Sequence, residues 1–247
     1  MFFYKEEKTT TEKVNEIQNE VYKYLKPLGF IKHGRTFCRF VDNDISQVID
    51  LQVGLAAKGM NHCLWINVGI GIPECQERTF DRKIPIKKYY REYECTLRAR
   101  LGSVVDKKDT YYDLQKKHTK YANDIINKLE KYIIPVFDVL SSRQSILRER
   151  KNYPQFDFNT HIILLDEAMI YGRMGKTEKA TQLFIEYYQK TIQELREHRE
   201  YILKYGEQIK NSDFYALPNG GRCALPDENS GHLAYLKELA NKLEIQL

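Results

Sequence analysis

Apolar positions along the chain follow helical spacing first and change to strand spacing near residue 29. Val14, Ile17, Val21, Leu25 and Leu28 fall three or four residues apart on one stripe, and Thr9 and Glu12 precede them at capping-box spacing. A helix is predicted over about 10–28. Gly29 then stands where a left-handed cap is wanted, and Phe30 opens an aromatic and β-branched stretch. In Thr36 to Val41, Phe37, Arg39 and Val41 alternate with Thr36, Cys38 and Phe40, and Asp42-Asn43-Asp44 supplies a turn. The next strand sets Val48, Asp50 and Gln52 against Ile49, Leu51, Val53 and Leu55. After a turn at Lys58-Gly59-Met60-Asn61, a third strand puts Leu64, Ile66, Val68, Ile70 and Ile72 on one face and Cys63, Trp65, Asn67, Gly69 and Gly71 on the other.

Beyond Pro73 the pattern weakens. A fourth strand is predicted over Glu92 to Leu101, ended by Gly102. Helical spacing resumes at Tyr121, Ile125, Leu129 and Tyr132, with Ala122, Ile126 and Ile133 widening the stripe. Pro135 cannot occupy that helix interior, so a kink or fresh start is expected there, continuing through Phe137 and Leu140. A long helix running toward Tyr205, a long loop over Asn211 to Asn229 and a closing helix from about Ser230 to Leu243 complete the pattern. The fold class is therefore α+β: an N-terminal helix on an antiparallel sheet, with a helical C-terminal part. The division expected is 1–150 and 151–247.

Leu28-Gly29-Phe30, Gly34-Arg35-Thr36-Phe37 with Arg39, Gln52, and Asn67-Val68-Gly69-Ile70 with Pro73, followed by Arg98, Arg100, Leu101 and Gly102, form a scattered pattern of glycines, aromatics and arginines. On these residues the chain resembles, from about residue 12 to 140, the bacterial domain of unknown function 4304 family. Tyr111-Tyr112 departs from it, falling where tryptophans are expected. The resemblance implies an α+β fold and a bacterial source, and transfers no catalytic residue. In the second half, Ala168, Tyr171, Gly175, Ala180 and Phe184 are similar in spacing to one tetratricopeptide helical hairpin. No second copy follows, and such repeats need neighbours to bury a continuous core.

Composition narrows the classes. With 42% hydrophobic and 30% charged residues over 247 positions, and no apolar run near 20 residues, the chain reads as globular without a membrane span. MFFYKEEKTTTEKV lacks the apolar run of a signal peptide, so a cytoplasmic location is expected. Cys38, Cys63, Cys75, Cys95 and Cys223 form no CxxC pair and suit buried reduced thiols. His33, His62, His118, His161, His198 and His232 form no HxH or HExxH arrangement, and neither GxSxG nor a phosphate-loop motif is present. The reading expects neither cofactor nor resident metal and leans away from an enzyme.

Charge and strand alternation nominate two surfaces. From Arg78 to Lys120 there are 13 Lys and Arg against 6 Asp and Glu, in a chain of net charge +5. Lys87, Lys88, Tyr89, Tyr90, Arg91, Lys107 and Lys108 are the candidate nucleic-acid contacts within it, since cations interleaved with aromatic rings suit single strands. Asp50, Gln52, Asn67, Arg98 and Arg100 fall on the polar side of their strands and form the candidate ligand-binding set, a carboxylate beside two guanidiniums. The function expected first is a protein-interaction module. Nucleic-acid binding through residues 78–120 and an enzyme acting on an anionic substrate at the Asp50 face follow it.

Overall fold

The computed structural model describes residues 8–55, 62–81, 84, 87–116, 118–156, 163–210, 212–227 and 231–247. The expected turn at Lys58 to Asn61, together with His161, Lys83 and Lys117, lies outside them. The chain divides into two compact units, one of residues 1–77 and 83–162 and one of 78–82 and 163–247. The fold is α+β, as the patterning predicts.

The first unit begins with α1 (Thr10–Leu25), where the Thr9 hydroxyl accepts from the Glu12 amide and the Glu12 carboxylate accepts from the Thr9 amide. Val14, Ile17, Val21 and Leu25 are buried along its stripe. The helix tightens to a 3-10 turn over Lys26–Leu28, and Gly29, at φ 86°, turns the chain into the sheet through a region other residues enter only at a steric cost.

Five strands pair in sequence order, all antiparallel: β1 (Ile31–His33), β2 (Thr36–Val41), β3 (Ile45–Leu55), β4 (His62–Gly71) and β5 (Leu97–Arg100). A short β6 (Tyr112–Asp113) also pairs with β4. Asp42 and Asn43, both at positive φ, make the β2–β3 turn, a conformation that short polar side chains tolerate best. Period-two alternation then sorts the two faces. Phe37, Ile49, Leu51, Leu64, Ile66, Val68 and Ile70 are buried on the core face, where Phe37 stacks on Tyr22 of α1.

Three helical elements after β4 escape the alternation. α2 (Pro73–Glu77) follows the third strand, and the expected fourth strand is shorter than 92–101: Glu92–Glu94 is a 3-10 turn, only Leu97–Arg100 is strand, and α3 (Leu101–Val105) starts where the strand was to end. Gly102 is thus a helical position. A Cβ there would stand 2.6 Å from the Thr110 amide nitrogen and 2.8 Å from the Lys108 carbonyl, so glycine is required by a close backbone approach.

α4 (Tyr121–Lys128) packs against α1, widens through a π turn at Leu129–Ile133, and restarts as α5 (Ile134–Val139) with Pro135 in its first turn, where no amide donor is needed. Phe137 of α5 is fully buried with its ring between those of Phe30 and Phe156. α6 (Arg143–Glu149), capped by Ser142, was not foreseen. Its Arg143 meets both Glu74 oxygens at 2.8 Å and Asp44 at 2.7 Å, tying α2 and the β2–β3 turn together.

The second unit holds α7 (Leu164–Arg173) and α8 (Thr177–Tyr205), which pack on each other across a turn containing Gly175 at φ 76°. Ala168, Ala180 and Phe184 are fully buried, whereas Tyr171 is half-buried with the Lys176 ammonium over its ring. The long loop expected over 211–229 is a correction: β7 (Glu207–Gln208), β8 (Phe214–Ala216) and β9 (Arg222–Ala224) form a small antiparallel sheet. Turn residues that read as a loop instead close a hairpin, with Gly220 at φ 83° and the Leu217 amide donating to the Gly221 carbonyl. α9 (Gly231–Lys242) buries Leu233, Leu236, Leu239 and Ala240. Among the described residues no helix is long and apolar enough to cross a membrane.

Candidate functional site

The face of the first unit's sheet opposite the α1 side carries the polar alternation. Antiparallel register places Thr36 opposite Asp50, Asp50 opposite Asn67 and Asn67 opposite Arg100, one row across β2 to β5. Directly opposed side chains on one face come close enough to bond. The Thr36 hydroxyl donates to Asp50 at 2.7 Å, and the Asn67 amide nitrogen donates to Gln52 Oε1 at 2.8 Å. Asn67 also bonds the Asp50 carboxylate.

Next to this row an apolar cluster of Cys38, Val48, Tyr90 and Cys95 fills the same face and anchors the irregular segment 87–95 across the strands. The segment becomes a wall. Between it and the β1–β2 turn lies a pocket of about 770 Å³, floored by Thr36, Asp50, Gln52 and Asn67 and walled by His33, Gly34, Tyr89, Arg91, Glu92, Tyr93 and Arg98. The His33 and Tyr89 rings stack at 4.4 Å. Tyr93 is 61% exposed at the rim, where its hydroxyl accepts from Arg91 at 3.0 Å.

Four of the five candidate ligand-binding residues, Asp50, Gln52, Asn67 and Arg98, therefore line one pocket. Arg100 does not. It is drawn to Asp109 and lies over the Trp65 ring at 5.6 Å, a ring that also packs against Tyr111. Arg98 is held by Glu92 in a two-point pair at 2.8 and 3.2 Å, so its charge is already matched. The Arg91 side chain instead donates to the hydroxyls of Tyr93 and Tyr89.

The candidate nucleic-acid contacts scatter. Tyr90 is 2% exposed and presents no ring face, and burial pushes its hydroxyl up to about 12. Lys87 pairs with Glu94 at 3.0 Å; Lys88 is exposed; Lys107 and Lys108 follow α3 in a separate turn. Tyr89 and Arg91 join the pocket instead. Sequence reasoning missed His33, Thr36, Glu92 and Tyr93 as pocket residues. The signal for Thr36 was available, because the Asp42-Asn43-Asp44 turn fixes Val41 opposite Ile45 and hence Thr36 opposite Asp50.

Burial raises the Asp50 carboxyl above its ordinary value, against the Thr36 bond and the charges of Arg35 and Arg91. Burial, helped by Lys88, pushes His33 down. Cys38 is pushed up to about 11 and Cys95 well above the ordinary range, so both thiols are inert packing groups. Among the described residues no group of three or more His, Cys, Asp or Glu is placed to hold a metal ion.

A pH dependence follows. The folded state favours protonated Asp50 more than the unfolded chain does, so this residue adds stability below its unfolded value and loses that addition as pH rises through the folded value. Urea denaturation from neutral pH downward should show the wild type gaining stability relative to Asp50→Asn as the pH falls. Parallel curves for the two proteins would contradict the burial of this carboxylate.

No curated protein and no solved structure matches this chain. Residues 21–139, which hold the sheet, its pocket and the α4–α5 segment, match the model of the family described as domain of unknown function DUF4304.

Proposed function

We propose that this chain is a non-enzymatic binding protein of the bacterial cytoplasm whose recognition site is the open-face pocket of its first unit. The observation that carries the reading is the hydrogen-bonded chain of Thr36, Asp50, Asn67 and Gln52 at the floor of a pocket of about 770 Å³. Such a volume lies in the range of sites for small ligands, which use a few convergent polar groups for orientation. The row is fixed by its own bonds before anything enters, which reduces the ordering cost of binding. Recognition is also favoured over chemistry by the carboxylates themselves: Glu92 is committed to Arg98, and Asp50 to Thr36 and Asn67.

The test is a comparison of immobilised wild type and Asp50→Asn exposed to lysate of the source organism, with the retained compounds extracted and identified. A compound held in stoichiometric amount by the wild type should fall about tenfold or more on the variant, as expected when a charged hydrogen-bond acceptor is removed. Equal recovery from two folded proteins would overturn the reading.

A second reading keeps the protein partner expected from the sequence, with the helical hairpin of the second unit as its surface. What supports it is that α8, 29 residues long, buries only Ala180, Leu183, Phe184 and Ile202, so none of residues 185–201 is buried. On the same columns a protein retained after nuclease treatment, kept by Asp50→Asn but lost on Ile185→Glu, would favour this surface over the pocket.

A further inference from the structure

The pocket floor presents a specific sequence of hydrogen-bonding groups. Gln52 Oε1 is taken by Asn67, which fixes the amide so that Nε2 points its hydrogens elsewhere, and Nε2 has no partner among the described residues. Asp50 accepts from Thr36 and Asn67, and a carboxylate has about four acceptor positions, so two remain. Asp50 and Gln52 are two residues apart on β3, hence on the same face and neighbours along the strand. The floor thus offers two adjacent acceptor positions beside one donor. A planar heterocycle matching it must show two N–H donors beside a carbonyl oxygen.

The guanine edge has that order: the 2-amino group, N1–H, then the 6-oxo oxygen. Adenine fails, because its unprotonated N1 would face the carboxylate, and cytosine and uracil each lack one of the adjacent donors. The wall adds what a flat ring requires. Tyr89, braced by His33, and the exposed Tyr93 give aromatic surfaces, and base stacking on such rings is a substantial term in nucleotide recognition. At the rim Arg91 is exposed, donates to tyrosine hydroxyls, and presents a guanidinium that can meet a phosphate.

We propose that the pocket binds a guanine nucleotide, with Asp50 accepting from N1–H and the 2-amino group, Gln52 donating to the 6-oxo oxygen, Tyr89 and Tyr93 flanking the ring, and Arg91 meeting the phosphate. The proposal rests on the reading of the pocket as the recognition site. Its ligand is either the free nucleotide or a guanosine within a single strand, the shared chemistry being ring plus phosphate.

The test is isothermal titration of the full chain with guanosine, inosine and adenosine 5′-monophosphates, with guanosine, and with a uridine hexamer carrying or lacking one central guanosine. Guanosine monophosphate should bind about tenfold to hundredfold more tightly than inosine monophosphate, which lacks the 2-amino donor, and adenosine monophosphate should bind more weakly still. Asp50→Asn should abolish the preference over inosine monophosphate. Arg91→Gln should weaken the monophosphate about tenfold and leave guanosine unchanged. Because Arg91 is exposed, that variant is expected to fold even if Asp50→Asn does not. A guanosine-bearing hexamer that outbinds the monophosphate, with affinity falling steeply in salt, identifies the strand as the source; equal or weaker binding identifies the free nucleotide. Equal affinity for guanosine and adenosine monophosphates, or no binding of either, overturns the guanine assignment. The pocket reading fails separately, when wild-type and Asp50→Asn columns retain the same compounds.

Discussion

Replacing Arg143 by methionine is expected to destabilise the first unit by about 3–5 kcal/mol, the usual cost of leaving a buried charge without its partner. Glu74 is 0% exposed and Arg143 donates to both of its carboxylate oxygens, while Asp44, 3% exposed, loses its contact at 2.7 Å. Three carboxylates, Asp42, Asp44 and Glu74, face this one guanidinium, whose own charged form those bonds favour against the cost of burial. Methionine fills most of the volume but matches none of the charge. Urea denaturation of both proteins measures the loss. Adding Glu74→Leu to Arg143→Met should restore part of it, since an apolar pair replaces an orphaned carboxylate; a loss below about 1 kcal/mol, or no recovery, would show that the cluster is not what joins α2, α6 and the β2–β3 turn.

Phe137→Ala is the second large effect, expected at about 3–5 kcal/mol. The ring is fully buried, 6.4 Å from that of Phe30 and 6.2 Å from that of Phe156, edge-on to the latter. These three residues come from the start of the sheet, α5 and the 3-10 turn Pro154–Phe156, so removal of the middle ring leaves a cavity among elements far apart in sequence. Phe137→Leu keeps most of the volume and should cost less than half as much. The same denaturation assay decides it. Equal costs for the two variants would mean that the site collapses around the loss and that the ring contacts contribute little.

What could be read from the sequence is uneven for a physical reason. The capped α1 and the alternation of β2, β3 and β4 are local signals, and the structure has them where the pattern puts them. Pro135 likewise marks a helix start because its missing donor is tolerated only there. α2, α3 and α6 are five, five and seven residues long, too short for a periodic stripe to stand out. The β8–β9 hairpin hides behind the same Pro-Asn-Gly-Gly residues that signal a loop. For the pocket, alternation alone brought Asp50, Gln52, Asn67 and Arg98 to one face. It also nominated Arg100, since alternation does not show that Asp109 holds that side chain away. Tyr89, Arg91 and Tyr93 lie on an irregular segment whose course over the sheet depends on Tyr90 and Cys95 burying against Cys38 and Val48, a long-range packing event without a local pattern.

The claim that the open-face pocket is the recognition site is tested most directly by hydrogen–deuterium exchange of the full chain, with and without the compound that the wild-type column retains. Slowed exchange is expected at the β1–β2 turn, in the middle of β3 and β4, and through residues 87–94, with no change along α8. Protection confined to α8, or a pocket whose exchange is the same with and without the compound, would contradict it.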